Sequence, residues 1–248
     1  MMKKEVLFLL LNEYADWEGA FLASSLNTGV MPGSEVKYVV KTIAPTLDEV
    51  SSLGGFHTAP DYSFLTIPDT YAALILIGGM QWNSKEAEQV VPLVEDAIKR
   101  GRIVGAICNA ASFLAAHGFL NEVKHTGNTL PQLKLWGGER YTNHAGYQEI
   151  QAVSDGRIVT ANGMAYLEFT RELLLLLEAD AVEKIDGYIS ALSIPNIVYI
   201  LRKELTPEKT QQIIEQLFMI FHIADLKSSD IRKAANMKTS DYEDAIQM

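Results

Sequence analysis

The sequence contains a single cysteine, Cys108, so it has no pair of thiols that could form an intramolecular disulfide. A zinc centre built from several cysteines is excluded for the same reason. The apolar runs at residues 6–11 and 173–177 are far shorter than the roughly 20 residues that a membrane-spanning helix needs. No small-residue cleavage site of a signal peptide follows the first run, so we expect a cytoplasmic protein without a membrane segment.

Basic residues are also few, since the chain has 21 lysines and arginines against 31 aspartates and glutamates. General binding to nucleic acid or to an anionic membrane needs a basic face, so we expect neither as a partner. Apolar residues make up 48% of the chain, enough to bury a full hydrophobic core. The length allows one large domain, or one domain with an appendage.

Short apolar runs alternate along the chain with segments of helical periodicity. Runs of strand length that are apolar throughout are typical of parallel strands covered on both faces. The predicted strands are residues 6–11, 36–43, 73–77, 102–104, 123–126, 147–153 and 157–161, and the predicted helices are residues 20–26, 84–100, 112–116 and 167–177. This alternation predicts an α/β protein, a three-layer α/β/α sandwich with a flavodoxin-like, mostly parallel sheet.

The cysteine lies in the segment GAICNAA, residues 105–111, between a predicted strand and a predicted helix. A strand that turns sharply into a helix through small residues is typical of a nucleophile elbow, which exposes the side chain at the turn. Ala106 and Ala110 leave the space that such a turn needs. The start of the following helix should lower the pKa of the Cys108 thiol. The alternative is a small buried cysteine that only packs the end of the strand.

Two further features follow predicted strands. Glu18 lies in the first turn of the helix after the first strand, and the pair Gly78-Gly79 ends the third strand. The carboxyl ends of parallel strands form the edge of the sheet where ligands bind. Glu18 is alternatively an exposed acid that stabilises the helix dipole, and the glycine pair is alternatively an ordinary tight turn.

Residues 3–178 resemble the ThiJ/PfpI family of the class I glutamine amidotransferase-like superfamily. Each motif is short, but their order and spacing together carry the resemblance. The motifs are DWE at residues 16–18, GGFHTAPD at 54–61, LIGG at 76–79, AIC at 106–108, TGN at 126–128 and TANG at 160–163.

The resemblance implies a role for each matched position. Cys108 matches the family's nucleophile, and Glu18 matches the acid that hydrogen-bonds it and stays protonated beside a thiolate. The backbone N–H groups of Gly78 or Gly79 and of Asn109 would face an oxyanion or an oxidised sulfur. We expect a small-molecule substrate, a homodimer, and neither a metal nor another cofactor.

One departure from the family concerns histidine. Family proteases carry it directly after the cysteine, where this chain has Asn109, and other members carry it at the position of Gly127. His57, His125 and His144 are the candidate replacements, although each is more often a structural histidine than a base.

The missing histidine favours a cysteine-dependent hydrolase or lyase that acts on small reactive carbonyl compounds or their adducts, of the glyoxalase or deglycase type. The first alternative is a non-enzymatic redox sensor or a stress or chaperone-like protein that uses Cys108 as an oxidisable thiol. A further alternative is an amidase or peptidase with an unidentified histidine.

After residue 178 the composition becomes more charged, which predicts two domains, residues 1–178 and 179–248. The second part contains the predicted helices 193–203 and 206–222, and it resembles an incomplete PIN domain, a metal-dependent ribonuclease fold. Asp244 matches a metal-binding acid there, whereas Asn196 replaces another. One carboxylate cannot hold a catalytic magnesium ion, so we expect a helical appendage without nuclease activity. The alternative is a partner-binding module.

Overall fold

The computed structural model describes residues 3–30, 35–179, 187–190, 193–203 and 205–224. The chain divides into two compact units, Met1–Val182 and Glu183–Met248. The boundary predicted from composition lies slightly earlier, between residues 178 and 179.

The first unit is built on one seven-stranded sheet, with strand order β5-β2-β1-β6-β7-β9-β8. Neighbouring strands are parallel except β8, which runs antiparallel to β9. A separate antiparallel pair is formed by β3 and β4. The strands are β1 (Lys4–Leu9), β2 (Tyr38–Ala44), β3 (Val50–Ser51), β4 (His57–Thr58), β5 (Tyr62–Ser63), β6 (Ala73–Leu76), β7 (Ile103–Ile107), β8 (Ala152–Asp155) and β9 (Ile158–Ala161).

Helices cover both faces of this sheet. They are α1 (Asp16–Thr28), α2 (Val91–Lys99), α3 (Asn109–Ala116), α4 (Leu130–Gly137) and α5 (Tyr166–Leu177), with short 3-10 helices at Gln81–Asn83, Ala87–Val90, Gly138–Arg140 and His144–Gly146. The helix predicted over residues 84–100 is wrong in its first half, where 3-10 turns precede α2. Pro92 explains this start, because it lacks a backbone N–H and is tolerated only in the first turn of a helix.

Side chains alternate along β1 between two hydrophobic cores. Leu7 and Leu9 face the core that is shared with α2, α3 and α4, whereas Val6 and Phe8 face the core that is shared with α1 and α5. A strand covered on both faces is apolar throughout, which is why the sequence pattern identified β1, β6 and β7. The predicted three-layer α/β/α sandwich with a mostly parallel sheet is confirmed.

The shorter strands were predicted less well. The strand expected at residues 123–126 is an isolated bridge between His125 and Tyr147, and the strand expected at 147–153 is β8, which begins only at Ala152. The expected strand at 157–161 is confirmed as β9.

The second unit contains α6 (Ser193–Leu201) and α7 (Pro207–Ile220), as the sequence predicted. The expected helical appendage is confirmed, and it also contains two short parallel strands that the sequence did not predict, β10 (Gly187–Ser190) and β11 (Phe221–Ala224). Each strand has four residues, too few for a periodic signal, and β11 follows α7 directly. The PIN-like segment around Asp244 lies outside the described residues.

Phe169 on α5 provides a test of the core. It is completely buried, and its ring lies against β7, where a Cβ placed on Gly105 would be 3.1 Å away. We expect Phe169→Ala to lower the free energy of unfolding by about 3–5 kcal/mol, because it leaves a cavity. Leu167 on the same helix is 51% exposed, so Leu167→Ala should cost less than about 1 kcal/mol. Urea unfolding followed by circular dichroism measures both, and equal losses would contradict this orientation of α5.

Candidate active site

Cys108 lies at the sharp turn between β7 and α3, at the carboxyl edge of the sheet. Its backbone has φ 61° and ψ −127°, a conformation that residues other than glycine rarely adopt. Hydrogen bonds hold the turn on both sides: the Cys108 N–H donates to the Ala161 carbonyl at 3.0 Å, and the Ala111 N–H donates to the Cys108 carbonyl at 3.1 Å. The predicted nucleophile elbow is therefore present. Hydrogen bonds to neighbouring elements hold the backbone of Cys108 in its strained conformation.

Two glycines make room for the Cys108 side chain. A Cβ on Gly78 would overlap the Glu18 carboxyl and lie 2.6 Å from the Cys108 Cβ. A Cβ on Gly163, which follows β9, would lie 2.9 Å from the Cys108 sulfur and 3.2 Å from Glu18 Oε1. These clearances show that the carboxyl and the thiol share one small space, closed by the ends of β6 and β9.

Glu18 is buried in the first turn of α1, with 1% of its surface exposed. Burial raises the pKa of its carboxyl to about 7, although the Cys108 thiol and the Gly78 N–H favour the charged form by hydrogen bonding. Its Oε2 has no hydrogen-bond partner within the part of the chain that the structure describes. This burial excludes the alternative in which Glu18 is an exposed acid that stabilises the helix dipole.

The Cys108 thiol is less acidic than the sequence suggested. Burial, with the neighbouring Glu18 carboxylate, raises its pKa to about 11. Asn128 and the Asn109 N–H act in the opposite direction, but their hydrogen bonds are outweighed. The expectation of a lowered thiol pKa is therefore wrong, because it counted the start of the helix and not the buried acid beside the sulfur.

A network of amides surrounds the other side of the sulfur. Asn128 Nδ2 lies 3.4 Å from the Cys108 sulfur and 3.4 Å from Asn109 Oδ1, and Asn128 Oδ1 accepts the Gly163 N–H at 2.9 Å. Asn109 Nδ2 donates to the Gly79 carbonyl at 2.8 Å. The sequence analysis missed Asn128 and Gly163 as site residues, although both belong to the motifs TGN and TANG.

The residues predicted to present backbone N–H groups lie around the same pair. The Asn109 N–H lies close enough to the Cys108 sulfur to lower the pKa of the thiol, and the Gly78 N–H acts in the same direction on the pKa of the Glu18 carboxyl. Gly79 adopts φ 152° and bridges to Tyr14 across the site. Their role toward a reacting oxygen stays a prediction.

The candidate histidines have partners elsewhere in the molecule. His57 is exposed and lies 2.9 Å from Glu49, and His144 is exposed and contacts the Tyr141 ring at a tilt of 59°. His125 is buried, and its ring nitrogens lie 2.8 Å from the Val123 carbonyl and 2.6 Å from the Tyr141 hydroxyl.

The structure also argues against a histidine where other family members carry one. Gly127 is buried, and a Cβ placed there would lie 2.7 Å from Leu133 Cδ1. This wall of the site has no room for a larger side chain unless Leu133 moves.

Within the described residues, no three histidine, cysteine, aspartate or glutamate side chains are grouped as a metal site requires. No helix in that part of the chain is long and apolar enough to cross a membrane.

The shared space of Glu18 and Cys108 predicts a two-step ionisation. The pair should lose one proton near pH 7 and the second near pH 11, and alkylation by iodoacetamide should accelerate at both steps. In Glu18→Gln only the thiol titrates, and its pKa should fall below that of the wild type because the neighbouring charge is gone. A variant that still shows the step near pH 7 would disprove the coupling.

The comparisons with known proteins agree with this site. A model of the DJ-1/PfpI family matches residues 4–176. The chain is 40% identical over 185 residues to YdeA of Bacillus subtilis, which bears the name uncharacterized protease; the match covers 74% of this chain and 88% of YdeA. It is 27% identical over 152 residues to DJR-1.2 of Caenorhabditis elegans, named a glutathione-independent glyoxalase, over 60% of this chain and 76% of DJR-1.2.

A solved structure shows the same relationship. The DJ-1 superfamily protein Atu0886 from Agrobacterium tumefaciens matches with a TM-score of 0.65 and 35% identity, over 73% of this chain and 93% of that protein. The family expected from the motifs is thereby confirmed, and the chain belongs to the DJ-1/PfpI family.

Proposed function

We propose that the protein is a cysteine-dependent enzyme that acts on small reactive carbonyl compounds or their adducts, as a glyoxalase or deglycase does. The observation that carries this proposal is the contact of a buried carboxyl, Glu18, with the Cys108 thiol. With a pKa of about 7, Glu18 can hold or release a proton at neutral pH. The pair can therefore supply both a sulfur nucleophile and a proton donor without a histidine.

The first step follows from this arrangement. When the pair carries one negative charge, the form with a thiolate and a protonated Glu18 is the reactive one. The sulfur attacks the aldehyde carbon, a C–S bond forms, and the carbonyl electron pair passes to oxygen. That oxygen takes the proton from Glu18, which leaves a hemithioacetal on Cys108 and a carboxylate beside it.

The second step uses that carboxylate as a base. For methylglyoxal, Glu18 would take the proton from the carbon that bears sulfur and return it to the neighbouring carbon. The hydroxyl proton of the first carbon passes to the oxygen of the neighbouring carbon, so the hemithioacetal becomes a lactoyl thioester. Water then attacks the thioester carbon, the C–S bond breaks, and lactate and the free thiol are released. The Asn109 N–H and Asn128 Nδ2, which already face the sulfur, would stabilise the negative oxygen that develops next to it.

The names of the relatives support two different readings. DJR-1.2 is named a glyoxalase, which agrees with carbonyl chemistry, whereas YdeA is named a protease. A cysteine peptidase needs a base beside its thiol that later protonates an amine leaving group. The hydrogen bonds and contacts described for His57, His125 and His144 involve other residues than Cys108, which supports the glyoxalase interpretation.

Conversion of methylglyoxal to lactate tests this proposal. We expect measurable turnover by the wild type and at least a hundredfold loss of kcat/KM in Cys108→Ala and in Glu18→Gln, because each removes one half of the pair. Glu35→Gln serves as a charge-matched control, since Glu35 is exposed and precedes β2 at the opposite edge of the sheet. Unchanged turnover in Cys108→Ala would overturn the proposal, provided that its circular dichroism spectrum and melting curve match the wild type.

A second candidate function is redox sensing by Cys108. It is supported by the donors at the sulfur, because Asn128 Nδ2 and the Asn109 N–H could hold the oxygens of a sulfinate. Its signature would be oxidation of Cys108 by peroxide in a protein that turns over no carbonyl substrate.

The homodimer and the cytoplasmic location expected from the sequence stay predictions. A dimer would offer cover for Trp17 and Phe21, which lie one turn apart on α1 and are 44% and 51% exposed.

A further inference from the structure

A cavity of about 610 Å³ lies against Asn128, the residue whose side-chain amide contacts the Cys108 sulfur. It is lined by residues 127–131, which lead into α4, by Tyr147 and residues 149–151, which lead into β8, and by Asn162. The volume suits a small organic molecule. The proposed reaction steps involve only the atoms around Cys108 and Glu18 and do not use this cavity.

The cavity adjoins the reactive sulfur through a single side chain. Asn128 forms part of its wall and at the same time lies 3.4 Å from the Cys108 sulfur. Asn162, also in the wall, precedes Gly163, whose Cβ position is 2.9 Å from that sulfur. The Asn128 side chain thus borders both the cavity and the sulfur, so a molecule held at the sulfur lies next to this cavity.

The lining combines amide and apolar side chains and carries one kind of charge. Asn128, Gln151 and Asn162 contribute amides, and Glu149 is the one charged side chain among these described lining residues. Glu149 is exposed and has no ion-pair or hydrogen-bond partner within the described part of the chain, so its charge is not neutralised. The Glu18–Cys108 pair carries a second negative charge once its first proton is lost.

The start of α4 also lies among the described lining residues, and of its first N–H groups it leaves that of Leu130 to face this field. Helix N-termini attract anions through free N–H groups, but Pro131 has none and the Gln132 N–H already donates to the Thr129 hydroxyl at 3.2 Å. The helix end thus offers little to an anionic group.

We propose that this cavity receives the non-reacting part of the substrate, and that Glu149 selects carbonyl compounds whose body is positively charged or neutral and polar over those bearing a carboxylate or phosphate. Carbonyl adducts of amines fit this description. The inference rests on the proposed function for the identity of the reacting group, but the charge selection belongs to the cavity and can be measured without turnover.

Methanethiosulfonate reagents of similar size and different charge provide the test. In each, the Cys108 thiolate displaces methanesulfinate and forms a mixed disulfide, so the rate reports access to the sulfur. The reagents carry 2-(trimethylammonium)ethyl, 2-hydroxyethyl or 2-sulfonatoethyl groups, and the neutral one corrects for any change in thiolate content. At low ionic strength we expect the cation-to-anion rate ratio to fall about fivefold in Glu149→Gln and to invert in Glu149→Lys.

Glu35→Gln is again the matched control, because it makes the same change in net charge at the other edge of the sheet. Its ratio should equal that of the wild type. An unchanged ratio in both Glu149 variants, or an equal fall in Glu35→Gln, would overturn the inference, since selection would then come from net charge alone. Failure of methylglyoxal turnover would defeat the proposed function and leave this measurement valid, so the two failures are distinguishable.

Discussion

The burial of one carboxyl against one thiol is the constraint on which the rest of the site depends. Glu18 follows β1 and Cys108 follows β7. The two side chains meet because these strands are parallel and end at the same edge of the sheet. Gly78 and Gly163 are needed there because any side chain would occupy the space of the pair. The positive φ of Cys108 is the backbone cost of pointing its thiol at the acid. The sheet, the turn and the glycines together bring the Glu18 carboxyl into contact with the Cys108 thiol.

That contact changes the acidity of the cysteine. An exposed thiol at a helix start is activated by a lowered pKa, whereas here burial and the carboxylate raise the pKa of Cys108 to about 11. The same burial raises the pKa of Glu18 to about 7, so the pair as a unit gives up a proton near neutrality. Reactivity then depends on where the remaining proton lies, which the N–H donors of Asn109 and Asn128 can influence from the sulfur side. A histidine is not required for such a shared proton.

The sequence could predict the elements but not their distances. β1, β6 and β7 were identified because strands buried on both faces are apolar throughout, and Glu18 and Cys108 were identified because each follows such a strand. The sign of the thiol's pKa shift was missed, since it depends on the separation and burial of two residues far apart in the sequence. Asn128 was missed as well. It belongs to the motif TGN, but the sequence does not show that its side chain contacts the Cys108 sulfur. The predicted helix 206–222 extended into β11, because a strand of four residues has too little periodicity to be distinguished from the end of a helix.

The site has two parts, the Glu18–Cys108 pair at the ends of strands and the cavity formed by loops. Glu18 and Cys108 are held by strand ends, with space provided by Gly78 and Gly163. The walls of the cavity come instead from residues 127–131 and 149–151, which are loops or the first turn of a short helix. Loops tolerate substitution without loss of the hydrophobic core, so a side chain such as Glu149 can change without disturbing the sheet that brings Glu18 and Cys108 together. The fold therefore constrains the pair at the sheet edge, whereas the charge of the cavity depends on loop side chains that the fold leaves free to vary.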